Sequence, residues 1–160
     1  AYYYPIDFTD TYRTYFRFYA DLGVLWQNGD EPIPLLERYR LGGPDDLRGY
    51  KSRSLGAFKN IMQSPMGGPT KINWGGTRKV IFQAEYFLPL IKEANIKSLL
   101  FYDMGRVYEE SENLDLKGLY RDFGFGFRWI TPVAPFRFEW GYPIENGKVG
   151  PVNFELSLGY

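Results

Sequence analysis

The chain has 160 residues, a length that suits one ordinary domain, and its 19 basic and 19 acidic residues cancel. No stretch concentrates positive charge, which argues against a nucleic-acid partner, because phosphate binding needs a basic footprint. Cysteine and histidine are both absent. That removes disulfides, thiolate chemistry, the usual general base and most zinc sites, so no metal or other cofactor is expected.

Nothing resembles a signal peptide, and the longest apolar runs fall far short of the ~18–20 residues of a membrane helix. Aromatic residues make up 19% of the chain and glycines number 18, a composition that favours strands, turns and close backbone approaches. Only Leu90–Lys97 offers a possible helical turn. The expected fold class is all-β.

In chain order, Ala1–Ile6 has the pattern of a strand end, followed by a turn at Asp7–Asp10. The first complete strand is expected over Thr11–Trp26, with Tyr12, Thr14, Phe16, Phe18, Ala20 and Leu22 on one face and Arg13, Arg17 and Asp21 on the other. A connection then runs through 27–76. At about fifty residues it far exceeds the ~12–15 beyond which loops are usually functional or linkers. Its stretch Arg40-Leu-Gly-Gly-Pro-Asp-Asp-Leu-Arg-Gly-Tyr50 mixes turn formers, apolar anchors and charges of both signs, the composition of a loop folded against something.

A second strand, Thr77–Leu88, sets Val80, Phe82, Ala84, Tyr86 and Leu88 against Ile81, Gln83 and Glu85. A short link, Pro89–Asn95, leads to a third, Ile96–Tyr108, with Leu100, Tyr102 and Met104 opposite Leu99, Phe101 and Asp103. After a polar loop, Arg121–Ile130 sets Phe123, Phe125, Phe127 and Trp129 against Gly124, Gly126 and Arg128. Thr131–Pro135 is a tight turn. The fifth strand sets Phe136, Phe138, Trp140 and Tyr142 against Arg137, Glu139 and Gly141. A hairpin with the favoured turn dipeptide Asn146-Gly147 follows. The sixth strand, Val152–Tyr160, sets Phe154, Leu156, Leu158 and Tyr160 against Asn153, Glu155 and Ser157.

Period-two alternation fits a soluble sandwich as well as a membrane barrel. Three details favour the barrel. One face carries large aromatics while the other carries Arg, Glu, Asp and Gly, which a lumen tolerates. Most strands run about nine to thirteen residues, matching the ~9–11 needed to cross a bilayer at a tilt, and short connections alternate with long or intermediate ones. Six strands and a stub do not close a single-chain barrel, whose strand numbers start at eight and are even, and an open edge is costly in hydrocarbon. The chain is therefore expected to be part of a larger barrel rather than one that closes by association of copies.

Leu47-Arg-Gly-Tyr50, preceded by Gly42-Gly43, resembles the Val-Arg-Gly-Phe/Tyr loop signature of the BamA family of outer-membrane protein assembly factors. The resemblance continues through Ala84-Glu-Tyr-Phe-Leu-Pro89, Phe101-Tyr-Asp-Met-Gly-Arg-Val107, Gly126-Phe-Arg-Trp-Ile-Thr-Pro132, Pro135-Phe-Arg-Phe138 and Phe154-Glu-Leu-Ser-Leu-Gly-Tyr160. It spans essentially the whole chain, with Leu47 and Tyr50 in place of the commoner Val and Phe.

The resemblance implies the last six strands of a sixteen-stranded antiparallel transmembrane barrel in the bacterial outer membrane, residues 1–160 being its C-terminal portion and 27–76 a loop folded into the lumen. It implies that Arg48, Gly49 and Tyr50 form a latch in which Arg48 meets Glu85 and Asp103. Strand parity independently puts both acids on the polar face. The closing Phe154, Leu156, Leu158 and Tyr160 are either a lipid-facing strand or, by resemblance, also a C-terminal insertion signal. The implied function is non-enzymatic insertion of β-barrel proteins. The implied partners are unfolded barrel substrates, outer-membrane lipids and accessory lipoproteins.

Other motifs point less far. Gly42-Gly43-Pro44 and Gly67-Gly68-Pro69 lack the Gly-Lys-Ser/Thr and the helix of a phosphate loop. Glu139, Glu155 and Asp122 fit luminal residues balancing Arg128 and Arg137 better than a glycosidase carboxylate pair, and Asp103-Met104-Gly105 lacks calcium-loop spacing. The alternatives are a secretion transporter of the same superfamily, told apart by its number of periplasmic repeats, and the barrel of a patatin-like lipase, told apart by an upstream Gly-x-Ser-x-Gly domain. A third is a plain eight-stranded barrel or soluble sandwich, separated by whether detergent is needed.

Overall fold

The computed structural model describes every residue except 10, 11, 28, 30, 31, 62–69 and 160. The strands are β1 (Tyr2–Thr9), β2 (Tyr12–Val24), β3 (Phe58–Ile61), β4 (Thr70–Asn73), β5 (Arg78–Ile91), β6 (Ile96–Tyr108), β7 (Tyr120–Ile130), β8 (Pro135–Glu145), β9 (Lys148–Val149) and β10 (Asn153–Leu158). The long strands form one antiparallel meander, β1-β2-β5-β6-β7-β8-β10, with β9 paired to β8 and with β3–β4 a separate hairpin. No helix occurs among the described residues.

The period-two pattern sets the two faces. Along β2, Phe18, Ala20, Leu22 and Val24 are exposed, while Arg17, Tyr19, Asp21 and Gly23 turn inward and are more covered. On β7, Phe123, Phe125 and Trp129 stay exposed and Asp122, Gly124 and Gly126 are buried. The outward aromatics meet as cross-strand pairs: Phe125 stacks on Trp140 at 5.3 Å, Phe123 on Tyr142 at 5.6 Å, and Trp140 lies 5.1 Å from Phe154. Each pair sits directly opposite in the register, where cross-strand aromatic contacts stabilise a sheet most effectively. The inner face is charged and glycine-rich, and residues 41–55 of the long connection pack onto it.

Several boundaries differ from those the pattern alone predicts. β5 runs on through Pro89, paired with Lys97, to Ile91, and the irregularity lies just after the proline. A proline lacks the amide a ladder needs, so it belongs at such a bulge. Leu90–Lys97, expected as a possible helical turn, is instead the end of β5, a four-residue turn at 92–95 closed by Asn95 N–H donating to Lys92 O at 3.1 Å, and the start of β6. The N-terminal stub is a strand reaching Thr9, bulged between Asp7 and Thr9, where a turn is predicted. The connection 27–76 contains the β3–β4 hairpin, which its turn-rich composition hides. Asn146 and Gly147 both take positive φ, at 51° and 75°, as a two-residue hairpin turn of type I′ requires.

Candidate functional site

The inward residues form rows across the sheet, set by strand register. One row is Tyr19–Gln83–Asp103–Asp122–Pro143; the next is Arg17–Glu85–Phe101–Gly124–Gly141–Asn153. Below it lies Tyr15–Phe87–Leu99–Gly126–Glu139–Glu155. The loop is laid over the first two rows, where the paired glycines of β7 and β8 leave a trough.

The loop first closes on itself. Leu41 and Leu55 exchange backbone hydrogen bonds at 2.9 Å, and Tyr50 N–H donates to Leu47 O at 3.1 Å to close the turn Leu47–Tyr50. Leu41, Leu47, Tyr50 and Leu55 then pack with Ile81 and Val107 of the wall into a buried apolar cluster. The turn can descend this far only because Gly49 and Gly141 face each other. A Cβ on Gly141 would lie 2.5 Å from Gly49 N, and one on Gly49 would lie 2.5 Å from Asp122 Cβ. Wall side chains hold the loop backbone as well. Gln83 Nε2 donates to Asp46 O at 2.7 Å, and Asn153 Nδ2 donates to Arg48 O at 2.9 Å. The Tyr50 hydroxyl reaches Arg121 O at 3.3 Å.

Arg48 is the centre of the site, with 1% of its surface exposed. Its guanidinium binds Asp103 bidentately, Nε to Oδ2 and Nη2 to Oδ1, both at 2.7 Å. Nη1 donates to Glu85 Oε1 at 2.7 Å and to Glu139 Oε1 at 3.2 Å. One face of the fork lies 3.7 Å from the centre of the Phe101 ring. A planar fork can serve several carboxylates and stack on a ring at once, as a lysine cannot. Burial alone would lower the Arg48 pKa, but the charge and hydrogen bonds of Asp103, then Glu139 and Glu85, hold it above its ordinary value. The acids are shared further: Glu85 also binds Arg17 at 2.6 Å and Arg128 at 2.8 Å, and Glu139 binds Arg137 at 3.1 Å and Arg128 at 3.3 Å.

The structure thus brings Arg48, Gly49, Tyr50, Glu85 and Asp103 together. Phe154, Leu156 and Leu158 stand apart, exposed on the outer face of β10, and Tyr160 lies outside the described residues. Glu139 enters as a third acid that sequence parity does not single out, since its contact with Arg48 depends on how far β8 is staggered against β6. Phe101 and Asn153 likewise owe their roles to sharing Glu85's row. Two expected roles are corrected. Asp122 does not balance Arg128 or Arg137: it is buried against Gly49, opposite Asp103, and neither of its carboxylate oxygens has a hydrogen-bond partner among the described residues. Glu155 accepts a hydrogen bond from Asn153 Nδ2 at 2.9 Å rather than pairing with an arginine. Gly42-Gly43-Pro44 is turn chemistry, its Gly43 amide donating to Leu47 O and Tyr50 O. Gly67-Gly68-Pro69 lies outside the described residues.

An antiparallel meander with an aromatic exterior, and a charged interior that holds an inturned loop through a buried arginine, is the wall of a membrane β-barrel with an internal loop. The family model of the Omp85 superfamily domain matches residues 1–160. The chain belongs to the Omp85 superfamily and lies in the bacterial outer membrane.

It is 30% identical over 141 residues to the outer membrane protein assembly factor BamA of Nitratidesulfovibrio vulgaris (strain Hildenborough), covering 86% of this chain and 17% of that protein. The BamA of Neisseria meningitidis serogroup B (strain MC58) is 25% identical over 155 residues, covering 79% of this chain and 19% of that protein. Among solved structures, BamA from Haemophilus ducreyi lacking POTRA domains 1-3 matches with a TM-score of 0.74 at 20% identity, over 98% of this chain and 33% of that one. This likeness concerns the fold. The chain spans less than a fifth of the curated relatives it matches.

Proposed function

We propose that the chain is the C-terminal portion of a sixteen-stranded barrel that folds and inserts β-barrel proteins into the outer membrane. Residues 27–76 would be its lumen-folded loop, latched by Arg48, Gly49 and Tyr50 onto Glu85 and Asp103. The observation that carries this reading is the fully buried Arg48, bridging the loop to acids on separate wall strands, in a chain whose curated relatives are named assembly factors. A loop pinned inside the wall keeps the lumen filled and fixes the curvature of β5–β8 while the outer face meets lipid. Its partners are unfolded barrel proteins, outer-membrane lipids and accessory lipoproteins, and Phe154, Leu156, Leu158 and Tyr160 serve as its own insertion signal.

The reading is non-enzymatic. Glu85, Asp103 and Glu139 are each bound to an arginine, which ties up the carboxylates that acid–base catalysis would need. The test uses the full-length protein in phospholipid vesicles, with a urea-denatured barrel protein as substrate and its folding followed by the gel shift of heat-modifiable barrels. Wild type should accelerate folding without nucleotide, and Arg48→Ala should lose most of that acceleration. No acceleration by the wild type would discard the assembly reading in favour of a secretion transporter or a lipase barrel.

A further inference from the structure

The row nearest the short turns has a composition the latch does not use. Lys97, Arg128, Arg137 and Ser157 are successive register partners on β6, β7, β8 and β10, so three cations stand directly opposite one another on one face. Like charges so placed repel, and neighbouring strands are only ~4.8 Å apart.

The nearby acids meet the two arginines of this row, and Arg137 Nη2 also donates to Pro44 O, but they do not meet the lysine. Glu85 and Glu139 are the buried carboxylates in reach, and they are shared among Arg17, Arg48, Arg128 and Arg137. Asp45, which also pairs with Arg137, is 80% exposed. Lys97 has no carboxylate partner among the described residues and rests over the Tyr15 ring at 5.5 Å. Among the described residues, three buried donors on the row also lack partners: Arg128 Nε, Arg137 Nε and Ser157 Oγ. The Arg137 side chain is nine-tenths buried.

These cations line a cavity of about 160 Å³ whose opposite wall is formed by Tyr3, Tyr15 and Phe87. It lies on the inner face, so the sheet separates it from lipid. It opens near the turns at 92–95 and 131–134, and outer-membrane barrels carry their short turns on the periplasmic side. The volume is that of a few water molecules at ~30 Å³ each, enough for one carboxylate and the apolar group beside it.

We propose that this row is a carboxylate-binding site at the periplasmic mouth of the lumen, taking an acidic side chain of an extended polypeptide. The carboxylate lies against Lys97, Arg128 and Arg137, and the apolar side chain two residues along, on the same face of the extended chain, packs on Tyr15 and Phe87. Lys97, without an acid of its own among the described residues, supplies the charge that meets the carboxylate, Arg128 and Arg137 add to the positive field, and the aromatic wall selects a carboxylate that carries an apolar group beside it. The assignment does not depend on the assembly activity, because it rests on the wall alone.

The test uses full-length protein in detergent and the fluorescein-labelled hexapeptide Glu-Ser-Leu-Ser-Glu-Ser, which sets acid and leucine on one face, with Gln-Ser-Leu-Ser-Gln-Ser as control, read by anisotropy. The acidic peptide should bind and the control should not. Lys97→Gln should weaken binding about tenfold, the size of one lost charged hydrogen bond, and Lys97→Arg should retain it. Barrel integrity of each variant is checked by heat-modifiability. Should Lys97→Gln not fold, Tyr15→Leu reads the apolar half of the same cavity and should also weaken binding. A photo-crosslinker at Ile130, which lines the cavity, should capture the acidic peptide. Equal binding of both peptides, unchanged binding by the folded variants, or displacement of the peptide by inorganic phosphate at equal concentration would overturn the assignment. So would a crosslink from position 130 to another segment of the same chain.

Discussion

Replacing Arg48 by alanine removes four side-chain hydrogen bonds, two to Asp103 and one each to Glu85 and Glu139. It also strips the cation from the Phe101 ring. What remains is three carboxylates with at most 1% exposure, two of which keep other arginines. Asp103 keeps none among the described residues, and it faces the equally buried Asp122. Removing one partner of a buried pair in this way costs ~3–5 kcal/mol, mostly through the charge left behind. The cost falls on the docked loop, because undocking lets water reach the acids. At about 1.4 kcal/mol per factor of ten, the undocked population should rise by roughly 2 to 3.5 factors of ten. Tyr50 is buried when docked, so chymotrypsin cleavage after it reports undocking in full-length protein folded into vesicles, provided redocking outpaces cleavage. Arg48→Lys should recover only part of the loss, because an ammonium cannot serve Asp103 bidentately while reaching Glu85. Cleavage of Arg48→Ala within tenfold of wild type, or full protection in Arg48→Lys, would refute the reasoning.

Gly49→Ala places a methyl 2.5 Å from Asp122 Cβ and 2.9 Å from Pro143 N; overpacking of this kind costs ~1–3 kcal/mol, and the same cleavage assay should show exposure of Tyr50. Burial holds the Asp46 carboxyl at about 6, with Lys79 opposing and Asp45, Asp21 and Asp103 adding to the shift. The docked loop therefore binds this proton more tightly than the free one. Docking should be strongest below about pH 4 and weaken as pH rises through 6. Asp46→Asn should abolish that slope and tighten docking at neutral pH by ~1–2 kcal/mol, measured as amide hydrogen exchange of the loop at pH 5 and pH 8. Phe125 is 40% exposed on the outer face and stacked on Trp140; Phe125→Arg should lower barrel stability by ~2–4 kcal/mol in urea titrations in lipid vesicles if it lies near the bilayer midplane, and by less near an interface.

Strand parity is local, and local information carried far here. Alternation along β5 suffices to turn Glu85 inward, and along β6 to turn Asp103 inward, without knowledge of any neighbour. Register is not local. Whether Glu139 lies level with Arg48 or a turn away depends on the stagger of β8 against β7 and β6, which no single strand encodes. The same limit hid the pairing of Gly124 with Gly141, and with it the trough that admits Gly49. Asp122 departs from its expected role for a related reason. Its parity is inward, as expected, but its row places it beside Asp103 rather than beside Arg128, whose row holds Lys97 and Arg137. The β3–β4 hairpin escaped because four-residue strands are too short for alternation to stand out from turn-rich sequence.

The wall is built with features that make poor sense without the loop. Gly124, Gly126 and Gly141 occupy strand interiors, where glycine gives up side-chain packing and loses more conformational freedom than other residues. Glu85, Asp103 and Glu139 are drawn onto an inner face where, unpaired, each is costly to bury. The loop has the complementary defect, since Leu41, Leu47 and Leu55 complete their cluster with Ile81 and Val107 of the wall and the three acids that Arg48 binds all stand on wall strands. Docking offsets both sets of costs together: the loop backbone fills the glycine trough, the leucines cover Ile81 and Val107, and one guanidinium is divided among three carboxylates. Loop and wall are therefore one folding unit. A substitution on either side should be read on the other, with Gly141→Ala exposing Tyr50 as Gly49→Ala does, although the two residues stand on different elements of the chain.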